Sequence, residues 1–248
     1  MNTAKTALIT GGTNGMGRAV AQRFLDRGMR VMVTGQTPAS LAEARAILGD
    51  DARVVRSDAG DLTEIDALSR LVTDEFGTLD VLVLNAGLAE PSPFSEMTGR
   101  GFDAAFAVNV KGPFFTAKAL APALPDGGAI VLTTSIGNIM ARPTMLAYDA
   151  SKAALRALTR GLAAEFLPRG VRVNAVSPGP IRTSMIARSP LPDDVKARME
   201  QQMVEATPMR RFGRAEEIAA AVEFLAFGAT FTTGAELPVD GGWSQLLS

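Results

Sequence analysis

The sequence contains neither cysteine nor histidine among its 248 residues. Without cysteine there is no disulfide framework, no thiolate nucleophile and no cysteine-ligated metal site. Without histidine, a Ser-His-Asp triad and a histidine-ligated zinc are excluded as well. Acid–base chemistry is therefore left to carboxylates, lysines and the single tyrosine, Tyr148. We expect no metal to be required.

A strong charge of one sign and long apolar runs are also absent. The net charge is −1, and the scattered basic residues do not form the footprint of a nucleic-acid-binding protein. No apolar run approaches the roughly 18 residues that a membrane span needs. The opening stretch MNTAKTALIT shows no signal-peptide pattern. We therefore expect a cytoplasmic protein with neither a membrane nor a nucleic-acid partner.

Short apolar strands alternate with helical stretches along the whole chain. No linker divides it, so we predict one domain over residues 1–248. This alternation is typical of an α/β fold, a doubly wound parallel sheet of about seven strands with helices on both faces. The predicted strands are 5–10, 29–35, 52–58, 79–87, 127–135, 171–179 and 235–242. The predicted helices are 16–27, 40–48, 67–76, 101–124, 147–168 and 215–226.

A glycine-rich turn, GGTNGMG, lies between the first strand and the first helix. Gly11, Gly15 and Gly17 allow a tight turn and the close approach of a diphosphate, whose charge suits the N-terminus of the helix. A glycine turn without a ligand is the alternative. The strand–turn–helix context favours dinucleotide binding.

Ligands of doubly wound sheets bind beyond the carboxyl ends of the strands. Polar or glycine-rich residues follow six of the predicted strands, which places them together at that edge. They are the glycine turn, Gly35-Gln36, Asp58-Ala59, Asn85-Ala86-Gly87, Ser135 and Ser177-Pro178-Gly179.

Tyr148 and Lys152 carry the catalytic hypothesis. They are four positions apart in a predicted helix, so they share one face. A free tyrosine has a pKa of roughly 10, and nearby positive charge lowers it, so that the phenol can exchange a proton with a carbonyl or alcohol oxygen. The hydroxyl of Ser135, at the end of an apolar run, can hold the same oxygen. The alternative is that the two side chains share a helix face by chance.

These motifs together resemble the short-chain dehydrogenase/reductase superfamily in its compact form, from the first strand to the segment Val239–Gly242. The matching positions are Thr10-Gly11, Gly15, Gly17, Asn85, Ala86, Gly87, Asn109, Ser135, Tyr148, Lys152, Pro178, Gly179 and Thr183. Two positions depart from the family's pattern. Met16 stands where isoleucine is usual, and Asp149 follows the tyrosine where a small or polar residue is commoner.

The resemblance implies a Rossmann-like, NAD(P)(H)-dependent oxidoreductase that reduces a ketone or oxidises a secondary alcohol by hydride transfer. It implies that Tyr148 is the general acid/base, that Lys152 bonds the nicotinamide ribose and lowers the tyrosine pKa, and that Ser135 holds the substrate oxygen. Asn109 would link a water chain to solvent; its alternative is a polar residue that bends its helix beneath the sheet. The implied cofactor contacts are Gly11, Thr13, Asn14, Gly15, Met16, Gly17, Gln36, Asp58, Ala59, Asn85, Ala86, Gly87, Tyr148, Lys152, Pro178, Gly179, Ile181 and Thr183.

The end of the second strand decides the choice of cofactor. A carboxylate there binds the adenosine ribose and repels a 2′-phosphate, whereas a nearby arginine favours NADP. Here Gly35 stands at the acidic position, Gln36 follows it, and Asn14 in the glycine turn is uncharged. NADP(H) is therefore favoured over NAD(H), with Arg18 or Arg56 as the candidate cations for the phosphate.

The substrate is less well defined by the sequence. Residues 182–213 are predicted to form a substrate lid, in which Met185, Met199 and Met203 either line an apolar pocket or simply pack. Nothing marks a carboxylate or phosphate clamp near Ser135. We expect a mainly apolar ketone or secondary alcohol.

Two alternative functions stay open. A 3-oxoacyl carrier-protein reductase needs a basic docking surface, for which Arg169, Arg172, Arg210 and Arg211 are candidates. A non-catalytic dinucleotide-binding sensor would keep the fold without the chemistry. Apolar residues on several faces of the helices at 101–124 and 147–168 predict a symmetric oligomer. The resemblance implies a homotetramer, with a homodimer as the alternative.

Overall fold

The computed structural model describes residues 4–182 and 192–246, and its core is one parallel sheet. The strands are Thr6–Thr10 (β1), Arg30–Gly35 (β2), Ala52–Arg56 (β3), Val81–Leu84 (β4), Ala129–Thr133 (β5), Arg172–Pro178 (β6) and Glu236–Val239 (β7). Their order is β3-β2-β1-β4-β5-β6-β7, with every neighbouring pair parallel. From β1 the chain adds β2 and β3 towards one edge of the sheet and then β4 to β7 towards the other edge, so the strand order reverses between β1 and β4. Ligands of such sheets bind at this switch point.

Helices cover both faces of the sheet. They are Gly15–Leu25 (α1), Pro38–Leu48 (α2), Leu62–Phe76 (α3), Gly99–Phe106 (α4), Gly112–Leu120 (α5), Leu146–Phe166 (α6), Asp193–Ala206 (α7), Ala215–Glu223 (α8) and Trp243–Leu246 (α9). Side chains alternate across each strand. Ile9 therefore packs in the buried cluster with α1, α2 and α8, and its neighbour Leu8 packs in the opposite cluster with α3, α5 and α6. The predicted α/β, Rossmann-like doubly wound sheet is confirmed.

The prediction of one continuous helix at 101–124 is wrong. The π-helical segment Ala107–Lys111 separates α4 from α5, and the fully buried Asn109 lies in it. The helix predicted from residue 67 also begins earlier, at Leu62. Asp61 caps it there, because its Oδ1 accepts a 2.7 Å hydrogen bond from the backbone N–H of Thr63.

Part of the predicted lid at 182–213, including Thr183 and Met185, lies outside the described residues. The described remainder contains α7. Ile181 and Gly213 form an isolated parallel bridge, so the two ends of this segment meet beside β6. None of the helices in the described residues has the length and apolarity that crossing a membrane requires.

Candidate active site

Side chains join the carboxyl ends of β1 and β4 at the switch point. The hydroxyl oxygen of Thr10 accepts hydrogen bonds from the backbone N–H groups of Asn85 at 3.0 Å and Ala86 at 3.1 Å. In return, Asn85 Nδ2 donates to the carbonyl oxygens of Thr10 and Gly11, both at 3.1 Å. The start of the glycine turn is therefore held against the end of β4.

The glycine turn fits the diphosphate of a dinucleotide. A Cβ on Gly17 would lie 2.5 Å from Asn85 Nδ2 and would collide with the carbonyl oxygen of Gly11, so only glycine fits there. Helix α1 begins at Gly15, and the side chain of its N-cap, Asn14, makes no capping hydrogen bond. The N–H groups of the first turn are thus available to an anionic ligand.

Gly35 ends β2 in close contact with the glycine turn. A Cβ at this position would lie 2.5 Å from both Oγ1 and Cγ2 of the buried Thr13. A carboxylate of the kind that binds an adenosine ribose would therefore require Thr13 to move. The neutral Gln36 follows and is exposed.

The two arginines suggested as partners of a 2′-phosphate already have carboxylate partners. Arg18 Nη1 lies 2.6 Å from Glu43 Oε1, and Arg56 Nη1 lies 2.7 Å from Glu64 Oε1. Both pairs are on the surface, where such pairs are weak and are easily exchanged for another anion. Neither arginine is held ready for the phosphate.

The end of β5 and the first turns of α6 bring Ser135, Tyr148 and Lys152 together. Lys152 Nζ donates a 2.8 Å hydrogen bond to the carbonyl oxygen of Thr133 and lies 5.7 Å from the centroid of the Tyr148 ring. Ser135 Oγ accepts a 3.1 Å hydrogen bond from the N–H of Gly137, and hydrogen bonding by the Ser135 side chain lowers the pKa of Tyr148. Because Gly137 occupies a lone pair of Ser135, the hydroxyl proton is left to donate towards the phenol oxygen.

The pKa of Tyr148 differs from the sequence-based expectation, which was that Lys152 would lower it. Burial raises the pKa of Tyr148, and this outweighs the lowering effects of the hydrogen bond from Ser135 and of the positive charge of Arg142. Asp149 adds to the increase in the pKa of Tyr148. Burial lowers the pKa of Lys152 to about 8.

Asn109 is anchored by three hydrogen bonds. Its Oδ1 accepts from the N–H of Leu88 at 2.8 Å, while Nδ2 donates to the carbonyl oxygen of Leu88 at 2.8 Å and to Ser151 Oγ at 2.9 Å. A Cβ on Gly87 would lie 3.4 Å from both Asn109 Oδ1 and Lys152 Nζ. Asn109 thus lies beside the candidate catalytic residues, and its link to a water chain stays a prediction.

Other predicted cofactor positions lie at the same edge. Asp58 Oδ1 accepts a 2.8 Å hydrogen bond from the N–H of Gly60, so this carboxylate stabilises its own loop after β3. Gly179, after β6, donates its N–H to the carbonyl oxygen of Val239 at 3.0 Å, and a Cβ there would lie 2.6 Å from Asp240 Cα. Thr183 alone among the predicted site residues lies outside the described part of the chain.

The sequence matches the family model described as Enoyl-(Acyl carrier protein) reductase over residues 11–244. The chain belongs to the short-chain dehydrogenase/reductase superfamily. It is 37% identical to the oxidoreductase asL5 of Sarocladium schorii, over 98% of this chain and 97% of that protein. It is 36% identical to the 2,5-dichloro-2,5-cyclohexadiene-1,4-diol dehydrogenase LinX of Sphingobium indicum, over 97% of this chain and 96% of the other.

The fold of a solved structure agrees with this assignment. The crystal structure of a blue fluorescent protein from a metagenomic library, in complex with NADPH, is similar with a TM-score of 0.88 and 32% identity. The match covers 96% of this chain and 97% of that one. The expectation of a nicotinamide-dinucleotide-dependent oxidoreductase of this superfamily is confirmed.

In this superfamily member, residues that are not indicated by the sequence hold the Ser135 segment in place. Glu236 of β7 accepts hydrogen bonds from Thr134 Oγ1 at 2.5 Å and Asn138 Nδ2 at 2.6 Å, on either side of Ser135. Arg156 of α6 lies 2.9 Å from the other carboxylate oxygen of Glu236. No local pattern around Glu236 indicates these contacts.

The arginines proposed for carrier-protein docking do not form one surface. Arg169 donates to the carbonyl oxygens of Ala121 and Leu124. Arg172, which begins β6, donates to two carbonyl oxygens within the π-helical segment Phe224–Gly228 and to that of Ala229, just after it. These two lie at the amino-terminal edge of the sheet. The other two belong to a different group of arginines around a cavity of about 530 Å³, formed by Arg182, Arg210, Arg211 and Arg214.

Within residues 4–182 and 192–246, no group of three or more histidine, cysteine, aspartate or glutamate side chains is arranged to hold a metal ion.

Proposed function

We propose that this protein is an NADP(H)-preferring oxidoreductase that interconverts a mainly apolar ketone and its secondary alcohol, with Tyr148 as general acid/base. The proposal rests on the convergence of Ser135, Tyr148 and Lys152 at the carboxyl end of β5, beside the glycine turn. When bound, the nicotinamide supplies a hydride in reduction and accepts one in oxidation. The protein holds the reactants and moves the proton.

Tyr148 transfers the proton. In reduction its phenol donates a proton to the substrate oxygen, and in oxidation its phenolate takes one from the alcohol. Ser135 donates a hydrogen bond that holds this oxygen. Since burial raises the pKa of Tyr148, the phenol stays protonated near neutral pH, which suits reduction of a carbonyl.

Lys152 stabilises the phenolate that remains after the proton leaves. Its ammonium is fixed by the carbonyl oxygen of Thr133 at 2.8 Å, so it cannot swing away when the charge on the tyrosine changes. From this position it is expected to bond the nicotinamide ribose. The neighbouring Asn109 would link the pair to solvent through water.

The preference for NADP(H) is supported by the uncharged end of β2. Gly35 has no side chain, Gln36 and Asn14 are neutral donors, and the end of β2 has no aspartate or glutamate that would repel a 2′-phosphate. The NADPH-bound structure of the related blue fluorescent protein points in the same direction.

A mainly apolar carbonyl or alcohol is supported by the surroundings of Ser135. The adjacent Ile136 is apolar and buried, and the related LinX is by name a diol dehydrogenase. Reduction of a 3-oxoacyl group on a carrier protein is the second candidate. The family model's description and the cavity lined by Arg182, Arg210 and Arg214 favour it, because carrier proteins present anionic groups.

We also propose a homotetramer, or failing that a homodimer, located in the cytoplasm. Phe102 of α4 and Phe114 of α5 are each 42% exposed, and Phe231 before β7 is fully exposed. Apolar surface of this kind is expected to be covered in a symmetric assembly.

The decisive experiment is Tyr148→Phe. Turnover of a panel of ketones with NADPH should fall at least ~100-fold, the lower range for loss of general acid catalysis. Binding of NADPH, followed by its fluorescence, should be unchanged, and NADPH should bind more tightly than NADH. Unchanged turnover would refute the proposed mechanism. Failure of the wild type to bind either nucleotide would instead favour a non-catalytic protein.

A further inference from the structure

An ion pair beside Tyr148, formed by Arg142 and Asp149, lies between the Ser135 turn and the first turn of α6. Arg142 Nε donates a 3.2 Å hydrogen bond to Asp149 Oδ2, and Arg142 Nη2 donates to Asp149 Oδ1. The contact is therefore the two-pronged fork that fixes a guanidinium against a carboxylate. Asp149 is 8% exposed, so removing Arg142 would leave a largely buried carboxylate without its ion-pair partner.

The pair also packs against the turn that carries Ser135. A Cβ on Gly137 would collide with Asp149 Oδ1 and Arg142 Nη2, so the ion pair lies directly on the backbone of Gly137. The N–H of Gly137 is the donor to Ser135 Oγ at 3.1 Å. Through these contacts the pair connects the serine turn to the helix that begins with Leu146 and carries Tyr148.

Both members of the pair are close to the phenol ring. The guanidinium carbon of Arg142 lies 5.7 Å from the centroid of the Tyr148 ring, as does the ammonium of Lys152, and Asp149 is the next residue along the helix. Ser135 completes the polar surroundings. The charged residues of the other elements packed on α6 near this point are exposed to solvent, which screens their charges: Arg100 and Asp103 on α4 and Lys111 of the π-helical segment.

We propose that Arg142 and Asp149 are positioning residues for the catalytic tyrosine, which hold the Ser135 turn against α6 and place two opposite, mutually neutralising charges beside the phenol. This inference rests on the proposed role of Tyr148. Asp149 is a largely buried carboxylate, and the guanidinium of Arg142 is the charge that matches it.

Balanced charges have a testable consequence. Arg142 lowers the pKa of Tyr148, and Asp149 raises the pKa of Tyr148. Removing either charge leaves the other uncompensated, so the two single substitutions should shift the pKa of Tyr148 in opposite directions. Loss of packing alone would not produce shifts of opposite sign.

The single tyrosine makes the measurement direct. Every tyrosinate absorbance change during a pH titration of the folded chain comes from Tyr148, without cofactor or substrate. Asp149→Asn keeps the shape of the side chain and should lower the pKa of Tyr148 by about one unit. Arg142→Met should raise it by a similar amount, whereas Arg142→Lys retains the charge and should stay near the wild type. The double variant Arg142→Met/Asp149→Asn should lie between the single variants.

Circular dichroism at each pH checks that the fold persists. If Arg142→Met unfolds before Tyr148 ionises, the pKa of Tyr148 in Asp149→Asn alone tests the proposal. The rate of ketone reduction falls at high pH as Tyr148 loses its proton. In Asp149→Asn this fall should occur at lower pH, in step with the lower pKa measured by titration. An unchanged pKa in Asp149→Asn, or shifts of the same sign in both single variants, would overturn the proposal. Such a result leaves the role of Tyr148 intact, because Tyr148→Phe tests that role separately.

Discussion

The ammonium nitrogen of Lys152 lies 5.7 Å from the centroid of the Tyr148 ring, one helical turn away along α6. Burial disfavours the charged form of each group, so it raises the pKa of Tyr148 and lowers the pKa of Lys152 to about 8. At neutral pH the resting pair is therefore a neutral phenol beside a cation that gives up its proton more readily than a free lysine. A proton leaving Tyr148 creates a negative charge where a positive one is already fixed.

The raised pKa of Tyr148 predicts different pH dependences for the two directions of the reaction. Reduction uses the protonated phenol and should be nearly constant between about pH 6 and pH 8. Oxidation uses the phenolate, whose fraction grows about tenfold per pH unit below the pKa, and should accelerate accordingly. Steady-state rates for one ketone and its alcohol check this. Parallel profiles in the two directions would contradict it.

Lys152 is expected to lower the stability of the folded chain at neutral pH. Its pKa falls from 10.5 to about 8 on folding, so the charged form is penalised in the native state. The full cost, about 3 kcal/mol, applies below about pH 8 and disappears as the pH rises towards the unfolded pKa. Lys152→Met removes this cost but leaves the carbonyl oxygen of Thr133 without its donor, which costs about 1 kcal/mol.

We therefore expect Lys152→Met to be inactive yet more stable than the wild type by about 2 kcal/mol at pH 7, with the advantage shrinking above pH 8. Urea unfolding at several pH values measures the difference. Lys111→Met, which removes an exposed lysine, is the control and should change stability by less than about 0.5 kcal/mol. A less stable Lys152→Met at pH 7 would argue against a cost of burying the ammonium.

Gly35 allows the charge at the end of β2 to be tested separately from its shape. Gly35→Asp and Gly35→Asn introduce side chains of the same size, so both meet Thr13 and both should lose about 1–3 kcal/mol of stability. Only the aspartate repels a 2′-phosphate. NADPH should bind Gly35→Asp at least about tenfold more weakly than Gly35→Asn, with little difference for NADH. Fluorescence titration distinguishes these outcomes, and equal NADPH affinities would show that the 2′-phosphate lies elsewhere.

Much of the fold and of the candidate site follows from local sequence. The glycine turn and Asn85 directly follow apolar strands and Ser135 lies two residues after one, so the parallel topology alone brings them to one edge. Tyr148 and Lys152 are related by the helical period, which needs no tertiary information. The sequence alone gives no reason for the glycine at the end of β2. The structure gives one, because a side chain at Gly35 would collide with Thr13.

The remainder depends on contacts between distant positions. Asn109 interrupts its helix to reach Leu88 and Ser151, which are 21 and 42 residues away. Glu236 binds Thr134 across 102 residues. No periodicity relates such pairs, and the sequence does not show how deeply a tyrosine is buried, so the direction of its pKa shift was not predictable.

The π-helical segment Ala107–Lys111 has a consequence for how this chain can change over time. A π turn holds one residue more than an α turn, and an α-helix advances about 100° per residue. The π turn absorbs this extra residue, so deleting one residue of the segment would leave an α turn, with the buried Ala117 and Leu120 still facing the sheet. The same deletion within α5 would have no π turn to absorb it and would rotate the residues beyond it by about 100°. The segment is therefore a place in this helix where the number of residues can change without turning the buried face.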